Sequence, residues 1–100
     1  MLNINKQAEE EKLTFSLEGR LDTITAPEFE KAIKESIEGT KELVMDFEKL
    51  EYISSAGLRV LLTAQKYMNS TNGSMKVTNI NETVREIFEV TGFTDILTLE

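Results

Sequence analysis

The sequence has no cysteine, which excludes disulfides and thiolate chemistry and fits a reducing cytoplasm. It has no histidine either. That removes the usual general base, a common metal ligand and the side chain that most readily switches charge near neutral pH. No run of 18 apolar residues occurs, so no membrane-spanning helix is expected. The opening Met1-Leu2-Asn3-Ile4-Asn5-Lys6 alternates apolar and polar residues and lacks the continuous apolar core of a signal peptide. Basic residues are outnumbered, 11 against 18 acidic ones, for a net charge of −7 with no basic cluster. Nucleic acid is therefore not an expected partner, because Lys and Arg neutralising phosphates supply most non-specific affinity. The five glycines, at 19, 39, 57, 73 and 92, are scattered, so no Gly-rich loop is available to cradle a nucleotide.

What remains is an ordinary globular composition, 40% apolar and 29% charged over 100 residues, enough for one domain spanning 1–100. Leu2 and Ile4 suggest a short first strand, and Gln7 to Lys12 a charged turn. Leu13, Phe15 and Leu17 alternate with Thr14, Ser16 and Glu18, the pattern of a half-buried strand that Gly19 would end. Thr25-Ala26-Pro27-Glu28 has the form of a capping box opening a helix. Phe29, Ala32, Ile33, Ser36 and Ile37 form its inner face, and Gly39 stops it. Leu43 to Phe47 reads as a central strand. A second helix carries Leu58, Leu61, Leu62, Gln65 and Met68 on one face. Asn72-Gly73 marks a turn before a strand at Met75 and Val77. A third helix runs from about Glu82, capped by Asn81, to Gly92, and Ile96 to Leu99 makes a last strand. The order ββαβαβαβ predicts an α/β or α+β sheet with crossover helices mainly on one side.

Catalytic groups are hard to assemble. Ser54 and Ser55 have no histidine to activate them, and Ser-Ser-Ala-Gly is not the Gly-x-Ser-x-Gly elbow of hydrolases. Asp22, Asp46 and Asp95 are a weak metal signal among 18 acids. No enzymatic activity, metal or cofactor is expected. The serine pair itself admits two readings. Either hydroxyl can cap the helix that begins there, or one can accept a modification, since a helix N-terminus tolerates an added anion. Gly57, costly inside a helix, would open the first turn to close approach by another chain.

Taken in order, the motifs resemble those of STAS-domain anti-sigma factor antagonists, small bacterial proteins that free a sigma factor by binding its anti-sigma kinase. The resemblance covers nearly the whole chain and implies an α/β (α+β-like) fold, a small mixed sheet of about five strands with three to four helices mainly on one face. It rests on Gly19-Arg20-Leu21-Asp22 with Thr25-Ala26-Pro27-Glu28-Phe29, on Val44-Met45-Asp46-Phe47 with Leu50 and Tyr52-Ile53, on Ser54-Ser55-Ala56-Gly57-Leu58, and on Val84-Arg85 through Thr91-Gly92-Phe93. It implies that Ser55 is phosphorylated by a partner anti-sigma factor of the serine-kinase type and reset by a serine phosphatase. Ser54 stands where many members have Asp, which makes it a second acceptor candidate. The implied partner-binding edge comprises Asp22, Thr23, Ile24, Ser54, Ser55, Ala56, Gly57, Leu58 and Arg59. A cytoplasmic monomer is expected. The alternatives are a non-phosphorylated STAS adaptor in a stress-signalling or lipid-transport complex, and a small acidic enzyme.

Overall fold

Alternation of apolar and polar residues dictates the first two strands, β1 (Leu2–Glu9) and β2 (Lys12–Leu21), which pair antiparallel from Leu2 opposite Gly19 to Glu9 opposite Lys12. In this computed structural model, which describes residues 1–100, the charged stretch after Gln7 is thus mostly strand. Only Glu10 and Glu11 turn the chain, with Glu10 at positive φ. Gly19 does not end β2. It sits at φ +111 where an added Cβ would collide with the Met1 carbonyl, so glycine lets the strand run on to Leu21.

The remaining elements are α1 (Ala26–Ser36), β3 (Glu42–Ile53), α2 (Ser55–Ser70), β4 (Ser74–Thr78), α3 (Glu82–Thr91), a 3-10 turn at Phe93–Asp95 and β5 (Thr98–Leu99). Strand order follows chain order, β1 to β5, with β1–β2 antiparallel and every later pair parallel. The last strand is shorter than the apolar run suggests. Ile96 ends the 3-10 turn, 45% exposed, while Leu97 enters the core. The expected α/β fold with a mixed five-stranded sheet is what forms.

The core lies on one side of that sheet. Leu13, Phe15 and Leu17 of β2, Leu43, Met45 and Phe47 of β3, and Met75 and Val77 of β4 are buried in a single cluster. Phe29 and Ile33 of α1, Leu61 and Met68 of α2, and Val84 and Phe88 of α3 join it. The rings of Phe15 and Phe29 meet edge to face at 5.4 Å, which seats α1 over β2. Residues of the opposite phase, among them Thr14, Ser16, Asp46 and Lys76, are only half-buried.

Helix α2 is covered over a wider arc than its Leu58–Leu61–Met68 stripe requires, because α1 packs on one flank and β4 on another. Val60 and Ala64 are buried with the stripe, whereas Leu62 is only partly covered. Gln65 is drawn in too. Its Nε2 donates to Asn69 Oδ1 at 3.0 Å, and its Oε1 is buried with no partner, a deficit of about 1–3 kcal/mol.

Candidate functional site

Strands β2 and β3 run parallel and finish in register, Leu21 beside Ile53. Their two exits therefore emerge side by side at the carboxyl edge of the sheet, where open α/β sheets place their sites. The exits are tied together, since Ser54 N donates to Leu21 O at 2.9 Å. Ser54 adopts extended backbone (φ −94, ψ 175) and its Oγ accepts from Gly57 N at 3.3 Å, while its carbonyl accepts from Leu58 N at 2.9 Å. Ser54 is thus the cap. Ser55 is the first residue of α2, exposed, and the side-chain bond of this helix start is Ser54's. The two serines have separate duties, one structural and one left free.

The β2 exit folds into a tight turn built on Asp22. Its Oδ1 accepts from Ile24 N and Thr25 N, both at 3.0 Å, and its carbonyl accepts from Ala26 N at 2.8 Å. The Thr25 hydroxyl accepts from Asp22 N at 2.9 Å and shares its proton between Arg20 O at 2.9 Å and Asp22 Oδ1 at 3.1 Å. The expected capping box is therefore not made. Thr25 already has α-helical backbone and makes no side-chain cap bond; its hydroxyl is turned inward, and Asp22, three residues earlier, takes the Thr25 N–H with its carboxylate and the Ala26 N–H with its carbonyl. The turn leaves Thr23 exposed and presents Ile24 at its tip, 86% exposed.

The Thr25 backbone N–H is the main reason the Asp22 carboxyl is held below its ordinary value of 3.8; partial desolvation opposes it, and the Thr25 hydroxyl and Ile24 N–H reinforce it. A carboxylate with a depressed folded-state value stabilises the fold above its unfolded value and loses that contribution as pH falls through the folded one. Asp22→Ala is expected to melt below wild type at about pH 7, with the gap narrowing from about pH 4 downward. A gap equally wide at pH 7 and pH 2 in paired thermal melts would contradict this role.

Of the residues expected on a partner-binding edge, Asp22, Thr23, Ile24, Ser54, Ser55, Ala56 and Arg59 lie at the surface or partly so. Gly57 and Leu58 do not. Both are buried, Leu58 only 4% exposed. The missing Cβ of Gly57 admits no foreign chain; an added one would lie 2.8 Å from Ile53 Cγ1 and 2.8 Å from Leu21 Cγ. Glycine is required so that α2 can settle onto the ends of its own two strands. Arg20 and Tyr52 were not expected here. They are register partners in β2 and β3, with the Arg20 guanidinium 4.4 Å from the Tyr52 ring centre, one residue before Leu21 and Ile53. Only knowledge of the strand register would have paired them.

Asp46 is occupied elsewhere, its Oδ1 accepting from Glu48 N at 3.1 Å and Asn79 Nδ2 at 3.2 Å. No three carboxylates converge on a position that could hold a metal. No helix is long and apolar enough to cross a membrane.

The STAS domain family model matches residues 3–100. The chain belongs to the STAS family. A Bordetella bronchiseptica STAS relative, named as a candidate anti-sigma factor antagonist, BtrV, is 35% identical over 81 residues, covering 80% of this chain and 70% of the relative. Among solved structures, an anti-sigma factor antagonist from Mycobacterium paratuberculosis superposes with a TM-score of 0.88 at 23% identity, over 99% of this chain and 85% of that one. The Bacillus cell fate determinant SpoIIAA in its phosphorylated form superposes with a TM-score of 0.78 at 19% identity, covering 98% and 91%. These likenesses confirm the STAS fold.

Proposed function

We propose that this STAS domain is an anti-sigma factor antagonist. Its unphosphorylated form binds an anti-sigma factor of the serine-kinase type in the cytoplasm and releases the sigma factor. Phosphorylation of Ser55 ends that binding, and a serine phosphatase restores it. The domain works as a monomer and has no catalytic step of its own. The kinase transfers the γ-phosphoryl of ATP to Ser55 Oγ; the bond to ADP breaks, the Oγ–P bond forms and the serine proton passes to the kinase.

One observation carries the choice of residue. Ser55 is exposed at the first position of α2, beside the ordered Asp22–Ile24 turn, whereas the Ser54 hydroxyl is engaged as the cap. The phosphate suits its own domain, since an anion at a helix N-terminus gains ~0.3–1 kcal/mol. It does not suit a packed interface, where an unpaired buried charge costs about 3–5 kcal/mol. The relative named as an anti-sigma factor antagonist supports the class of partner.

Incubation with the cognate anti-sigma factor and ATP, followed by mass spectrometry, tests the assignment. Wild type and Ser54→Ala are expected to gain one phosphate on Ser55, and Ser55→Ala none. Phosphate retained in Ser55→Ala and absent from Ser54→Ala would overturn it.

A further inference from the structure

Residues 55 and 59 of α2 lie one turn apart on the same face, a spacing that sets Cβ atoms ~5–6 Å from each other. Both are exposed. Side chains on a helix lean toward its N-terminus, so the Arg59 stem is directed back along the face that Ser55 opens. The Arg59 guanidinium is uncommitted. The ion pairs of the fold join Lys76 to Glu42 and Glu100, and the Arg59 bond to the Thr63 hydroxyl runs through its carbonyl. Arg20, the neighbouring arginine across the strand ends, is already stacked on Tyr52. The opposing charge at the site, Asp22, has Oδ1 spent on its own turn. Ser54 has no such companion, because one turn beyond it stands Leu58 in the core.

We infer that, when Ser55 carries phosphate, Arg59 closes over it and holds it to the first turn of α2. This rests on the reading of Ser55 as the acceptor. Acid preceding base at this spacing is the favourable order, and a guanidinium offers a phosphate two parallel N–H donors. Phosphorylation then changes the docking edge twice. It adds ~−1.5 to −2 charge, and it withdraws the Arg59 cation from the surface shown to the partner.

The test needs no kinase. Phosphoserine is installed at position 55 during translation in wild type, Arg59→Gln and Arg59→Lys, and circular dichroism checks each fold. Phosphorus NMR then follows the second ionisation of the phosphate, ordinarily near ~6. The expected midpoint is about half a unit lower in wild type than in Arg59→Gln. Arg59→Lys should fall between, and the gap should close in about 1 M salt. Equal midpoints in all three would overturn the clamp, even if the kinase modifies Ser55 fully. A kinase that modifies another residue would overturn the functional reading and leave the titration gap in place.

Discussion

Gly57→Val is expected to unfold the domain or to lower its melting temperature by roughly 15 °C. The new Cβ falls 2.8 Å from side-chain carbons of both Ile53 and Leu21, and both neighbours are buried to within 1%. Neither can retreat into solvent. Overpacking of a filled core costs about 1–3 kcal/mol for a methylene or two, and branching at Cβ adds a second and third carbon to the clash. Against a stability of ~5–10 kcal/mol for a domain of this size, a loss near 3 kcal/mol moves the melting point by the amount stated. Gly57→Ala gains about 1 kcal/mol of helix propensity, so its deficit should be smaller. Combined with Leu21→Ala, it should cost less than the two single changes added together. Thermal melts of wild type, the three single variants and the double variant decide this. A Gly57→Val variant as stable as wild type would show that α2 does not depend on close seating against its strands.

The second large effect concerns binding. Ser55→Asp places one negative charge where the phosphate would stand, on an exposed position that makes no core contact. Its fold should be unchanged, because an acid in the first turn of a helix is favourable. Docking to the anti-sigma factor should weaken at least tenfold, since each 1.4 kcal/mol of uncompensated desolvation is a factor of ten. Fluorescence anisotropy with the labelled anti-sigma factor measures it. Ser54→Ala should act in the opposite sense, losing ~1 kcal/mol of stability with the cap while leaving the Ser55 hydroxyl in place. Full-strength binding by a folded Ser55→Asp protein would sink the electrostatic account.

Much of this architecture was legible in the sequence because its signals are local. Period-two alternation marked β2, the Asn81 and Gly92 boundaries marked α3, and the order of elements fixed the fold class. The N-terminal hairpin is longer than its sequence signals, because Gln7, Ala8 and Glu9 carry no alternating apolar pattern and are held by pairing with Thr14, Leu13 and Lys12. Thr25-x-x-Glu28 has the form of a cap, but a capping oxygen must accept from the helix N–H groups, and the Thr25 hydroxyl is turned inward, where it accepts from Asp22 N and donates to Arg20 O and Asp22 Oδ1. At the candidate site, the residue types and their spacing were visible, whereas the direction each one faces was not. Gly57 faces its own strands and Leu58 the core, and Arg20 meets Tyr52 only through the β2–β3 register. Such facts depend on pairing between positions 32 residues apart, as Arg20 with Tyr52 and Leu21 with Ile53, which no local pattern records.

Phosphate on Ser55 should weaken docking without disturbing the fold. Calorimetric titration of the anti-sigma factor with unmodified and Ser55-phosphorylated protein, alongside thermal melts of both, measures the two effects together. The affinity should fall at least ~100-fold, about 3 kcal/mol, while the two melting temperatures agree within a few degrees. Equal affinities, or an affinity loss accompanied by unfolding, would contradict it.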